Sequence, residues 1–126
     1  MRELKTTVIV SLNVEGIHRW LTAKEVFPEV GFLSDYHRHM FTFKAALTVL
    51  HDDRDKEFIM FKRDILDYLT KKYYNENARC YLFDYRSCEM LAKEILNEFG
   101  CEWVEVWEDN ENGARCELYE NNLYTR

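Results

Sequence analysis

Proline occurs once in this sequence of 126 residues, and glycine only four times. So few chain breakers exclude collagen-like and linker architectures and suit long strands and helices better than tight turns. No apolar run approaches the roughly 18 residues needed to cross a bilayer. The start, Met1-Arg2-Glu3-Leu4-Lys5, carries no hydrophobic signal segment. Basic charge is also short, with 17 Lys+Arg against 23 Asp+Glu and a formal charge of −6. A general electrostatic grip on nucleic acid or an anionic membrane is therefore disfavoured, while a local basic pocket for a phosphorylated small molecule stays open. Cys80, Cys88, Cys101 and Cys116 form no C-x-x-C pair, and four reduced thiols, mostly buried, are expected. These absences point to a cytoplasmic protein with neither membrane nor nucleic acid as partner.

What is present is core material. Hydrophobic types make up 47% of the chain and aromatics 15%, enough for one domain spanning 1–126. Val8, Val10, Leu12 and Val14 alternate through a strand over 5–14, and His18 follows just after it. The stretch 22–36, with Pro28 and Gly31, shows no sustained period and reads as a long loop or a distorted excursion from the sheet. A second strand covers 41–51, with Phe41, Phe43, Ala45, Leu47 and Val49 on one face. After the charged turn 52–55, residues 57–61 read as a short third strand or an extension.

Helical spacing begins near Phe61, through Ile65, Leu66, Leu69 and Tyr73. Ser87 is a good N-cap for a second helix that ends at Gly100. Strands over 103–108 and 114–119, with Asn112-Gly113 as the turn, close the chain as a hairpin. The order β-β-α-α-β-β predicts an α+β fold, an antiparallel sheet with two helices on one face.

Three histidines carry the chemistry. His37 and His39 flank Arg38, and residues i and i+2 of a strand share a face, so both rings can converge on one point. His18 could add a third ligand. Three neutral imidazoles with one open position make a catalytic zinc site, whose open position polarises a hydroxyl or carbonyl. By spacing alone H-x-H is a weak signal, and ordinary surface histidines would look the same. Glu108, on the face of Val104 and Val106, could accept two parallel N–H bonds from a flat heterocycle. As a solvated turn acid beside Asp109 and Glu111 it would look no different. Ser87 and Cys88 open the second helix, where backbone N–H groups and a hydroxyl could meet a ligand, and the helix end could lower the Cys88 thiol pKa. A plain cap and a small buried hydrophobe are the commoner roles.

In combination these residues resemble the 6-pyruvoyl-tetrahydropterin synthase and 6-carboxy-tetrahydropterin synthase family, whose subunits adopt the tunnelling fold. The resemblance runs from about residue 5 to residue 120 in order. It takes in His18, His37-Arg38-His39, the segment 58–65, Ser87-Cys88-Glu89-Met90-Leu91-Ala92, and Val104-Glu105-Val106-Trp107-Glu108. It implies that His18, His37 and His39 bind Zn²⁺, that Glu108 anchors a pterin or purine-like ring, and that Ser87 and Cys88 help hold it. It also implies a homo-oligomer, a hexamer of two stacked trimers with sites between subunits.

The chain departs from the family where protons move. Arg38 replaces the glycine of H-G-H, Leu33 falls where the family's catalytic cysteine belongs, and no L-D-H segment lies between the helices. The catalytic residues are therefore unassigned. Asp35, Tyr36, Asp84 and Glu89 are the replacements to weigh. Two expectations follow. One is a zinc-dependent synthase-like lyase acting on a dihydropterin triphosphate, with Arg19, Arg38 or Lys24 free to meet phosphate. The other is a catalytically inactive relative that binds a pterin or purine, or serves protein interaction.

Overall fold

Two long strands, β1 (Thr6–His18) and β2 (His37–Val49), run antiparallel in unbroken register from Thr6↔Val49 to His18↔His37. Their alternating apolar residues are the cause: Val10, Leu12, Val14, Phe41, Phe43 and Ala45 all turn to one side and are buried there. The structure, a computed structural model, describes residues 2–119; Met1 and 120–126, which the single-domain reading included, lie outside the described residues. Strand β1 runs four residues further than expected, so His18 is its last residue rather than a neighbour beyond it. Strand β2 likewise begins at His37, carrying both its histidines on regular extended backbone.

The stretch expected as a long loop is ordered. It holds a short helix α1 (Ala23–Val26) and a 3-10 segment, Pro28–Ser34, that opens on Pro28. A single proline at a helix start supplies a fixed φ and needs no N–H, which a search for periodicity does not register.

Helix α2 (Phe58–Tyr73) also corrects the sequence reading, which placed a strand at 57–61. The Glu57 side chain accepts from the Met60 N–H at 3.1 Å and starts the helix there. Phe58, Ile59 and Met60 are all more than half exposed, so that apolar run marks no buried strand. Of the predicted stripe, Phe61, Ile65, Leu69 and Tyr73 are buried, while Leu66 is exposed.

Two strands went unread between the long helices. Strand β3 (Tyr74–Asn75) pairs antiparallel with β4 (Cys80–Asp84), and β4 pairs parallel with β1. Arg79 and Asp84, both at positive φ, bracket β4, and five residues are too few for a period to declare itself. The simple β-β-α-α-β-β order is thus interrupted, and the sheet is antiparallel except at the β1–β4 pair.

Ser87 caps helix α3 (Cys88–Phe99) by accepting from the Met90 N–H, and Gly100 ends it at φ 64°. Strands β5 (Trp103–Glu108) and β6 (Asn112–Glu117) form the expected hairpin. The turn itself is Asp109-Asn110, at φ 54° and 58°, with the Glu111 N–H donating to the Glu108 carbonyl at 2.9 Å. Gly113 lies inside β6 instead, because a Cβ there would meet the Val106 carbonyl at 2.6 Å and the Trp107 ring at 2.8 Å.

The sheet order is β3-β4-β1-β2-β5-β6, with α2 and α3 packed on its apolar face to enclose one core. This is an α+β architecture. All four cysteines are free, three buried and Cys116 half-buried. No helix among the described residues is long and apolar enough to cross a membrane.

Candidate metal centre

The antiparallel pairing of β1 and β2 is what assembles the histidines. His18 sits opposite His37 in the register, and His39 lies two residues on along the same face. Their ring centroids are 4.6 Å (His18–His37), 5.4 Å (His18–His39) and 5.0 Å (His37–His39) apart. One ring nitrogen from each lies within 4.8 Å of the other two. The Phe41 ring forms the floor, edge-on to His18 at 5.1 Å and to His39 at 5.8 Å. Phe41 in turn packs on Phe83 of β4, over Gly16. A Cβ at position 16 would sit 2.5 Å from Phe83 Cε2 and 2.9 Å from Phe41 Cδ1, so only glycine leaves room for both rings.

Each imidazole is tied through its Nδ1. His18 Nδ1 lies 2.8 Å from the Arg86 carbonyl, His37 Nδ1 2.9 Å from the Asp35 carbonyl, and His39 Nδ1 2.7 Å from Asp109 Oδ2. A carbonyl oxygen can only accept, so Nδ1 carries the proton in the first two, and the Asp109 carboxylate asks the same of the third. That leaves the three Nε2 lone pairs for a metal. This outer shell of acceptors is what orients histidine ligands in metal sites. His18 Nε2 is fully covered and faces Glu108 Oε2 at 3.1 Å.

Burial, aided by the other two histidines, pushes the His37 pKa down despite its hydrogen bond to the Asp35 carbonyl, which favours the neutral, ligating form. Burial pulls His18 down too, but the Glu108 carboxylate and the Arg86 carbonyl outweigh it and raise the net value. Three imidazoles tethered through Nδ1, with their ring nitrogens within 4.8 Å of one another, form a donor set that could hold a first-row transition ion.

Beside the histidines opens a cleft of about 580 Å³, lined among others by Ser87, Cys88, Glu89 and Glu108. The structure therefore brings all the expected ring-holding residues to the expected metal ligands. Ser87 Oγ is already the acceptor that caps α3. The Cys88 thiol lies 3.5 Å from Glu108 Oε2, and burial followed by that carboxylate pushes its pKa far up. A thiolate lowered by the helix end is not what forms here; charge repulsion and desolvation exceed the helix contribution. Leu33 stands in the cleft wall.

Of the four proton-transfer candidates, only Glu89 is among the residues lining the cleft. Asp35 contributes its carbonyl to His37. The Tyr36 hydroxyl donates to Asp84 Oδ1 at 2.9 Å. Of the basic residues expected to meet phosphate, Arg19 lines the cleft and Lys24 does not, while Arg38 pairs with Glu15 at 3.0 Å.

Two contributors escaped the sequence. Asp109 looked like a solvated turn acid, yet it binds His39 and also accepts from the Met40 N–H at 2.8 Å. Its signal was the Asp-Asn pair, which tolerates the positive φ of a hairpin turn at the strand end bearing Glu108. Arg86 supplies a backbone carbonyl, which no side-chain pattern announces.

Together the fold and the site define an α+β domain whose three histidines could hold a metal ion at the mouth of a cleft. No protein-family model matches the chain, and no curated protein matches it.

Proposed function

We propose that this chain is a divergent, zinc-dependent relative of the 6-pyruvoyl- and 6-carboxy-tetrahydropterin synthases, with a tunnelling fold, acting on a dihydropterin triphosphate or a related pterin in the cytoplasm. The observation that carries the reading is the Nδ1 tethering of His18, His37 and His39 beside a cleft that also holds Glu108, Ser87 and Cys88. Zn²⁺ bound by these histidines would polarise a side-chain hydroxyl or carbonyl. Glu108 presents a carboxylate to the N–H edge of a flat ring, and the backbone at the start of α3 flanks it. Glu89 is the acid or base best placed to move a proton within the cleft. Arg19 can meet an anionic substituent at its rim. The homo-oligomer belongs to the same proposal, supported by the outer edges of β3 and β6, which pair with no further described strand.

Metal content, with dihydropterin turnover measured before and after chelation, tests this. About one zinc per chain is expected, lost in His37→Ala and His39→Ala. A protein that purifies without metal and takes none up sinks the reading.

The second reading, a pterin or purine binder without chemistry, is favoured by one observation. The cleft presents Leu33 and a thiol held protonated, and neither is a nucleophile or a base. A binder would show ligand-dependent thermal stabilisation with no turnover.

A further inference from the structure

The carbonyl that tethers His18 belongs to Arg86, in the three-residue link between β4 and α3. Such a link aims a carbonyl in one direction only where the chain is held, and Arg86 is held at both ends. Its backbone N–H donates to the Phe83 carbonyl at 3.1 Å, and its Nη1 donates to the same oxygen at 3.2 Å. The guanidinium lies 4.5 Å from the centre of the Tyr85 ring and 4.9 Å from that of Tyr73. Its Nε stands 3.9 Å from Glu94 Oε1, the oxygen that also accepts from the Tyr73 hydroxyl. Glu94 Oε2 takes Tyr68 at 2.6 Å and Lys72 at 2.7 Å. Arg86 borders the cleft, yet its charged end is committed to two rings, a carbonyl and a carboxylate of the helix pair.

We infer that Arg86 is a positioning residue of the histidine centre: its side chain, seated against Tyr73 and Glu94, fixes the carbonyl that orients His18. The inference rests on the metal site proposed above and extends its support from the loop to the α2–α3 pair. Glu94 is not among the residues lining the cleft, so it acts on the centre through Arg86. Tyr73 serves twice, offering its ring to the guanidinium and its hydroxyl to Glu94. A lysine at position 86 would keep a charge near Glu94. It has no planar fork to reach the Phe83 carbonyl and lie on both rings at once.

The test measures zinc affinity by competition with a chromophoric chelator and the visible d–d bands of the Co²⁺ form, both in the full chain. Melting curves taken without metal confirm that each variant folds. Arg86→Ala should bind zinc about tenfold more weakly, the low end of the cost of losing an outer partner, because the carbonyl remains while its aim is lost. Its Co²⁺ bands should shift, and Arg86→Lys should recover part of both losses. Glu94→Gln should also weaken zinc binding. Joined to Arg86→Ala it should add nothing further, as expected of two residues acting along one chain of contacts. Ile95→Val trims the fully buried core of α3 outside these contacts and should leave affinity and spectrum unchanged. If Arg86→Ala does not fold, Arg86→Lys takes its place in the same comparison. Affinities of the Arg86 and Glu94 variants within about twofold of wild type, additive losses in the double variant, or an equal loss in Ile95→Val overturn the inference and leave the three-histidine site standing. A wild type that binds no metal overturns both.

Discussion

Asp109 offers the sharpest test of how the centre is held. Its two carboxylate oxygens serve two donors, the His39 ring at 2.7 Å and the Met40 N–H at 2.8 Å. The hydrogen bond from His39, then that from Met40, lowers the Asp109 pKa, so it is ionised at neutral pH. Asp109→Asn keeps the shape and suits the backbone, because asparagine tolerates the φ of 54° found there. It has one acceptor oxygen where two are needed. Either one donor loses its partner, or His39 shifts its proton to Nε2 and leaves the ligand set. Loss of such an outer partner lowers metal affinity about 10- to 100-fold, or roughly 1.4 to 2.7 kcal/mol. Asp109→Ala adds a backbone cost of about 1–2 kcal/mol, since alanine resists that φ. Zinc competition against a chromophoric chelator measures the first quantity, and melting of the metal-stripped proteins separates the second. A dissociation constant for Asp109→Asn within twofold of wild type would refute the tethering argument.

Three other outcomes follow from the packing. Gly16→Ala should destabilise the fold by about 1–3 kcal/mol, since neither Phe41 nor Phe83, both fully buried, can yield to the new methyl; an unchanged melting curve would show that the rings can move. Glu94 of α3 accepts from Tyr68 at 2.6 Å and Lys72 at 2.7 Å, and from Tyr73, all on α2. Burial alone would raise its pKa, but these donors outweigh it and hold the carboxyl below the ordinary range. A lowered folded value stabilises above the unfolded pKa of about 4.3 and is lost as pH falls through the folded one. Glu94→Gln should therefore cost about 1–2 kcal/mol at pH 7, and urea titrations should find that gap narrowing below about pH 4; a gap constant with pH would discount the charge. In the folded protein at pH 8, iodoacetamide should modify Cys116 first, because Cys80, Cys88 and Cys101 are buried; prior labelling of Cys88, read by peptide mass, would contradict its raised pKa.

The fold was legible wherever burial follows a period. The alternation Val10, Leu12, Val14 and the spacing Phe61, Ile65, Leu69, Tyr73 reappear directly as core positions. It was illegible where structure depends on single contacts. Glu57 starts α2 through one side-chain hydrogen bond, and β4 is fixed by pairing with residues more than sixty positions earlier. Neither leaves a periodic trace. The misplaced hairpin turn has the same origin: Asn112-Gly113 matches a strong turn pattern, yet Gly113 is required by the approach of Trp107, and Asp109-Asn110 makes the bend.

The site divides along the same line. Side chains that project from regular strands could be placed from sequence, because the period of two puts His37 and His39 on one face. That His18 meets them depends on the β1–β2 register, in which His18 faces His37 at the very end of the ladder. A register slip of one residue would turn His18 to the opposite face and dissolve the group. The β1–β2 core pairs thus serve the site as much as the fold: Leu12↔Phe43 and Val14↔Phe41 fix the register that His18 and His37 then share. Outer-shell partners came from places sequence reading discounts, namely the backbone carbonyls of Arg86 and Asp35 and an acid in a tight turn. Each lies in a loop next to a strand or helix end, where chain direction, not residue type, decides what points inward. Because the ligands come from strands and the tethers from loops, a change such as Asp109→Asn loosens one imidazole while the register that gathers all three stays in place.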